Sequence, residues 1–198
     1  MKRILILFAH PAFNKSRINK ALIQSIQDLE GVTVNNLYEK YPDFFIDVKA
    51  EQKLLLEHDI IVWHHPFYWY SAPAIIKEWM DLVLEHGFAY GTKGRALEGK
   101  WAISVISTGG RKEIYGSTGS NQFSINQFLA PFNQSATLCR MKYLPPFVVH
   151  GSHTLSAEKL QQHCSNYRKM MITLRDEKCN ESVFHKVEYI NSIIENNV

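Results

Sequence analysis

Arg3-Ile4-Leu5-Ile6-Leu7-Phe8-Ala9-His10-Pro11 stands almost at the start of the chain. From Ile4 to Ala9 no position is polar, so the segment has no face to offer water. A strand of this kind is buried on both sides, as in a parallel sheet covered by helices. Met1-Lys2-Arg3 gives it the look of a secretory leader, but the run is short for a leader's apolar core. His10-Pro11 also stands where a small-residue cleavage site belongs. Apolar runs recur at Arg3–Ala9, Val32–Leu37, Asp59–Trp63, Trp101–Ile106 and Tyr143–His150. Between them the apolar spacing is helical. Leu22, Ile26 and Leu29 share one face; so do Ile75, Ile76, Trp79, Met80 and Val83, and later Leu160, Cys164, Tyr167, Met171 and Leu174. The alternation predicts an α/β three-layer sandwich around a five-stranded parallel sheet in the order 2-1-3-4-5. One domain is expected over residues 1–180. Residues 181–198, with Val183, Val187, Ile190 and Ile194 at helical spacing, form an added helix packed on the domain or on a second subunit.

Composition narrows the function. With 45% hydrophobic and 21% charged residues the 198-residue chain is neither disordered nor fibrous. A net charge of +3 is too mild to mark a nucleic-acid binder, and no apolar run reaches the length of a membrane span. Cys139, Cys164 and Cys179 are odd in number, widely spaced and free of any C-x-x-C, which argues for a reducing cytoplasm. The Asn-x-Ser/Thr matches at Asn14, Asn133 and Asn180 then read as chance.

In such a sheet ligands bind beyond the carboxyl ends of the strands, near the point where strand order reverses. Three loops lie there. After strand 1, His10-Pro11-Ala12-Phe13-Asn14-Lys15-Ser16-Arg17-Ile18-Asn19 leads into a helix, whose free N–H groups suit a phosphate. Ser16 and Asn19 add short polar groups and Lys15 and Arg17 add charge; the competing reading is a capping serine beside solvated cations. Gly94–Lys100 matches a G-x-x-x-x-G-K loop but precedes a strand and continues into Trp101, so it is rejected. After strand 3, Phe67, Tyr68, Trp69 and Tyr70 present four rings, either a core or interface anchor or a wall for a flat aromatic ligand. His64 and His65 point to opposite faces of a strand and do not share a metal; His150 and His153 read as structural. After strand 4, Ser107-Thr108-Gly109-Gly110 allows close backbone approach, with N–H groups for carbonyls on a ligand's edge. A phosphate loop, an aromatic wall and a Gly-Gly edge together fit a flavin mononucleotide moiety.

These residues resemble the flavodoxin-like NAD(P)H:quinone oxidoreductases, the DT-diaphorase family, and in particular its short bacterial branch, which includes ancillary subunits of glutathione-gated potassium-efflux systems. The resemblance runs from Ile4 to about Gly151. It rests on Phe8-Ala9-His10-Pro11, Tyr41-Pro42-Asp43-Phe44, Trp63 through Pro73, Gly87-Phe88-Ala89-Tyr90-Gly91 and Tyr143-Leu144-Pro145-Pro146-Phe147. It implies a homodimer with non-covalent FMN or FAD near the subunit interface. His10 and Ser16, Arg17, Ile18 and Asn19 would hold the phosphate, Phe67–Tyr70 would border the ring, and Ser107–Gly110 would face its pyrimidine edge. Tyr41–Phe44 would reach across to the partner's site. The implied reaction is ping-pong: hydride enters from NADH or NADPH, and two electrons leave to a quinone or similar electrophile. Gly109 and Gly110 N–H groups would stabilise charge on the reduced ring, and Tyr115 falls where the family assigns a tyrosine to charge relay. Asn121 stands where the family places a histidine, and an amide cannot exchange a proton near neutral pH. A regulatory subunit bound to a potassium-efflux transporter and a flavodoxin-type one-electron carrier are the alternatives.

Overall fold

The computed structural model describes residues 1–178 and 181–196; Cys179, Asn180 and the end of the predicted tail lie outside them. Five strands form a path in the order β2-β1-β3-β4-β5, and a sixth pairs with β4. They are β1 (Ile4–Phe8), β2 (Val32–Asn36), β3 (Ile60–Pro66), β4 (Trp101–Ser107), β5 (Lys142–Tyr143) and β6 (Phe147–Val149). All pairings are parallel. The helices are α1 (Arg17–Gln24), α2 (Leu37–Lys40), α3 (Val48–Glu57), α4 (Ala74–Val83), α5 (Ile125–Phe128), α6 (Ala130–Leu138), α7 (Ala157–Arg175) and α8 (Asn191–Asn196).

The first strand explains the layering. Successive side chains alternate in direction, so Leu5, Leu7 and Ala9 enter the core beneath α3, α4 and α6. Ile4, Ile6 and Phe8 enter the opposite core beneath α1 and α7. Both sets are essentially fully buried, and burial of each large side chain contributes about 1.5–3 kcal/mol.

Four expectations need correction. The predicted fifth strand over Tyr143–His150 is two short strands, because Pro145 and Pro146 have no N–H to donate to the ladder. The third strand continues through His64, His65 and Pro66, which pair in register with Val105, Ile106 and Ser107. The first helix stops at Gln24, so Ile26 and Leu29 reach the same core from the turns that follow it.

The tail is not one helix either. A 3-10 segment at Glu181–Lys186 precedes α8, and Phe184, Ile190, Ile193 and Ile194 join the α1/α7 core. The Asn191 amide accepts from Val148 N–H (2.9 Å) and donates to Val148 C=O (3.1 Å), capping the outer edge of β6 as a neighbouring strand would. No helix among the described residues is long and apolar enough to cross a membrane.

Candidate functional site

The carboxyl ends of β1, β3, β4 and β6 open onto one cavity of about 670 Å³. On its β1 side the backbone of Ser16 is still extended, and α1 begins one residue later. The Ser16 hydroxyl accepts both from Asn19 N–H and from Asn19 Nδ2 (3.2 Å each). Asn19 is buried, and Nδ2 also donates to Ser107 Oγ (3.0 Å). Asn19 Oδ1, 3.2 Å from His64 Nε2, can only accept, so His64 carries its proton there and its Nδ1 accepts from the Tyr167 hydroxyl (3.0 Å). Full burial pushes the His64 pKa down to about 3, which keeps that imidazole neutral. One chain of bonds thus joins the β1 loop to β3, β4 and α7.

His10 accepts from Ala12 N–H at Nδ1 (3.1 Å), which leaves Nε2 as the donor; burial holds its pKa below the usual histidine range. Arg17 lines the cavity, but its guanidinium donates to the carbonyls of Leu155 (2.6 Å) and Ser152 (3.2 Å), strapping the loop after β6 to α1.

The β3 side is built differently. Phe67 N–H continues the ladder to Ser107 C=O (2.8 Å). The chain then reverses: Ser71 N–H donates to Tyr68 C=O (3.0 Å), and Trp69 and Tyr70 both have positive φ, 50° and 61°. Two such residues at the centre of a tight turn are normally Asn-Gly or Gly-Gly. Side chains with a Cβ pay on the order of 1 kcal/mol each for that conformation. Trp69 is 93% exposed at the rim of the cavity. Tyr70 turns away, stacking on Phe128 (5.0 Å between centroids, 23°) and donating to Asn121 Oδ1 (3.3 Å).

At the end of β4 the buried Thr108 hydroxyl donates to Gly110 C=O (2.7 Å) and therefore accepts from His150 Nδ1–H (3.1 Å). The two glycines that follow sit in close quarters. A Cβ on Gly109 would come within 3.1 Å of His153 Nε2; one on Gly110 would collide with Ile114 and lie 3.1 Å from the Tyr115 hydroxyl. Tyr115 thus sits against the back of the Gly-Gly turn, where burial raises its pKa.

Of the residues expected from sequence, His10, Ser16, Arg17, Ile18, Asn19, Phe67, Tyr68, Trp69, Ser107 and Gly109 line this one cavity. Tyr70, Thr108, Gly110 and Tyr115 do not line it. Ser152 and His153 line it without having been expected; His153 was set aside as structural. The signal for them was positional, since Gly151-Ser152-His153 also follows the carboxyl end of a strand. His65, on the other face of β3, stacks on Phe132 (5.5 Å, 25°), and burial lowers its pKa to about 4. Among the described residues no group of three or more His, Cys, Asp or Glu is placed to hold a metal ion.

A family model for the flavodoxin-like fold matches residues 2–171. The glutathione-regulated potassium-efflux system ancillary protein KefG of Pectobacterium atrosepticum is 46% identical over 165 residues, covering 83% of this chain and 90% of its own. The general stress protein 14 of Treponema denticola, solved in complex with FMN, is 36% identical, with a TM-score of 0.83; the match covers 87% of this chain and 99% of that one. An NADPH-quinone reductase from P. pentosaceus is 34% identical, with a TM-score of 0.78, over 85% and 96% of the two chains.

Proposed function

The chain belongs to the flavodoxin-like fold family whose model matches residues 2–171, and from that premise we propose that it is a flavin-dependent NAD(P)H oxidoreductase acting on quinones or similar electrophiles. One observation carries the reading: a phosphate-type helix start, an aromatic turn and a glycine edge border one cavity of about 670 Å³. The residues fit a flavin. Ser16 Oγ accepts two bonds and keeps its own proton for a ligand, and His10 offers Nε2–H. Gly109 leaves open the space that a Cβ would fill. FMN is the form we assign, since the Treponema denticola protein carries it.

When bound, the flavin supplies two-electron chemistry between a nicotinamide donor and an acceptor that take turns at one open face. The protein's part is to bind, orient and neutralise. Ser16, Lys15 and the free N–H groups at the start of α1 would hold the phosphate, with Asn19 fixing the Ser16 hydroxyl. Tyr68 and Trp69 would flank the ring. The Gly109 N–H would stabilise negative charge at the pyrimidine edge, with Gly110 and the Tyr115 hydroxyl behind it. Protons come from solvent. The exposed rings of Phe45 (84%) and Trp69 suit a second copy of the chain, and a homodimer is part of the proposal.

A second reading draws on the similarity to KefG, in which the same oxidoreductase serves as an ancillary subunit of a potassium-efflux transporter. The deciding experiment releases and weighs the chromophore of the purified protein, then follows NADH and NADPH oxidation with a panel of quinones. Colourless protein that binds no added FMN overturns the flavin reading. Co-purification with a potassium-efflux transporter supports the ancillary role, and a clean failure to co-purify removes it.

A further inference from the structure

An imidazole outside the cavity stands behind its glycine edge. His150 follows β6 and is held between two phenol rings, Tyr115 at 5.5 Å and Tyr189 at 5.6 Å between centroids. Its Nδ1–H donates to the Thr108 hydroxyl (3.1 Å), which donates in turn to Gly110 C=O (2.7 Å). Its Nε2 is buried and has no hydrogen-bond partner. Burial pushes the His150 pKa down to about 4, so the ring stays neutral and Nδ1 keeps the one proton. The direction of the ring therefore rests on Nδ1 and on the two phenols that flank it.

The second phenol comes from far along the chain. Tyr189 lies in the tail, beyond the residues 2–171 that the family model matches. Phe184, Ile190, Ile193 and Ile194 join the α1/α7 core; among the described residues of the tail, Tyr189 alone enters the core beneath α3, α4 and α6. Bonds on either side fix its place. Ile190 N–H donates to Pro146 C=O (3.1 Å), and Glu188 C=O accepts from Asn126 Nδ2 (3.2 Å). The Lys112 ammonium lies 5.3 Å from the centroid of the Tyr189 ring, close enough for attraction to its face. Tyr189 thus touches both segments behind the glycine edge, His150 after β6 and Lys112 in the loop after Gly110.

We propose that Tyr189 is a positioning residue for the flavin site: through His150 and Thr108 the tail fixes the Gly109–Gly110 turn, and with it how tightly flavin is held and how well its reduced form is stabilised. The inference rests on the flavin reading above and adds the tail to it. A hydrogen bond weakens steeply as its angle closes, and bonds to an anion are the stronger ones. A turn free to rock therefore costs the anionic reduced flavin more than the neutral oxidised one.

Flavin-free protein titrated with FMN, followed by the midpoint potential of the loaded protein, tests this. Thr108→Val cuts the chain of bonds beside the turn. It should weaken FMN binding about tenfold and binding of reduced flavin by about tenfold more, a fall in potential of about 30 mV for a two-electron couple. Tyr189→Ala should shift both quantities in the same direction, about threefold each. Tyr189→Phe keeps the ring and Thr108→Ser keeps the hydroxyl, so each should stay within about twofold of the wild type. Phe184→Ala, in the same tail but in the other core, should lower the melting temperature and leave affinity and potential unchanged. Wild-type affinity and potential in Tyr189→Ala overturn the proposal. Losses in Phe184→Ala as large as those in Tyr189→Ala also overturn it, since the effect is then one of stability. Wild-type protein that binds no FMN removes the flavin reading and this inference together, whereas FMN binding that ignores Tyr189 removes this inference alone.

Discussion

The loop after β1 keeps its shape because its hydrogen bonds favour it, whereas the turn after β3 keeps its shape against its own backbone preference. In the first, Ser16, Asn19, Ser107, His64 and Tyr167 form one connected set with donors matched to acceptors. In the second, Trp69 and Tyr70 occupy positions that suit glycine, and Trp69 projects into solvent. A buried matched network contributes to stability and fixes atoms that must meet a phosphate. A strained exposed turn stores energy, which is reasonable only if its rings are needed elsewhere. The difference separates residues that hold the fold from residues that serve a ligand, and experiments can widen or erase it.

Acid should separate the regions most. Unfolded histidine takes a proton near pH 6.5, while burial holds His64 at about 3 and His65 at about 4. Between those values the unfolded chain binds more protons. Stability is therefore complete above pH 6.5 and falls as the pH drops, levelling off only below the folded-state values. At pH 5 the loss is about 2 kcal/mol for each of the two histidines. Melting curves at pH 7.5 and 5 measure it. His65→Leu, which also removes an imidazole Nε2 with no partner, should cancel its own share of about 2 kcal/mol. An unchanged melting point at pH 5 would show that water reaches these rings.

Asn19→Ala comes next. It strips His64 Nε2–H and Ser107 Oγ of their shared partner inside a buried site, at a cost of about 3 kcal/mol. The loss should appear both in thermal melts and in weaker retention of FMN. A variant that melts like the wild type would show that the network is ornamental to the fold.

The two regions also differed in how far sequence alone revealed them. The alternating burial of β1 was legible because the period of a strand and the absence of any polar position are local facts. The identity of the cavity's rim was legible because strand order decides which loops meet. The Asn19–His64 contact was not, since it joins residues 45 apart and depends on β3 running three residues further than its apolar run suggested. The break at Pro145-Pro146 is readable from the missing N–H groups, although the stretch around it is otherwise apolar. Ser16 shows two readings converging: it caps α1 and lines the cavity, because the position that satisfies a helix start is also the position that faces an anion.

Strain gives the third test. Trp69→Gly relieves an unfavourable φ and should stabilise the protein by about 0.5 kcal/mol at most, because the entropy that glycine adds to the unfolded chain offsets much of the relief. The same change should weaken FMN binding severalfold, measured by fluorescence titration. Stability and ligand affinity moving in opposite directions is the signature of a turn shaped for its ligand. If both fall together, Trp69 is a structural anchor and the contrast with the β1 loop disappears.

The smallest expected effect concerns the loop that joins the two regions from behind. Tyr115 has its hydroxyl against Gly110, with burial keeping the phenol protonated, whereas the side-chain amide of Asn121 accepts from the exposed Tyr70 hydroxyl. Removing the first hydroxyl withdraws a donor from the site's glycine edge, and Tyr115→Phe should slow reoxidation of the reduced protein by quinone about fivefold. Asn121→Ala loses one long, solvated hydrogen bond on the outer side of the aromatic turn. It should change neither stability by more than about 0.5 kcal/mol nor the reoxidation rate by more than about twofold. Stopped-flow traces of the two variants side by side provide the comparison. The reverse order would mean that Tyr70, steadied by Asn121, and not Tyr115, controls how the acceptor is seated, and the strained turn would then extend its role from binding into turnover.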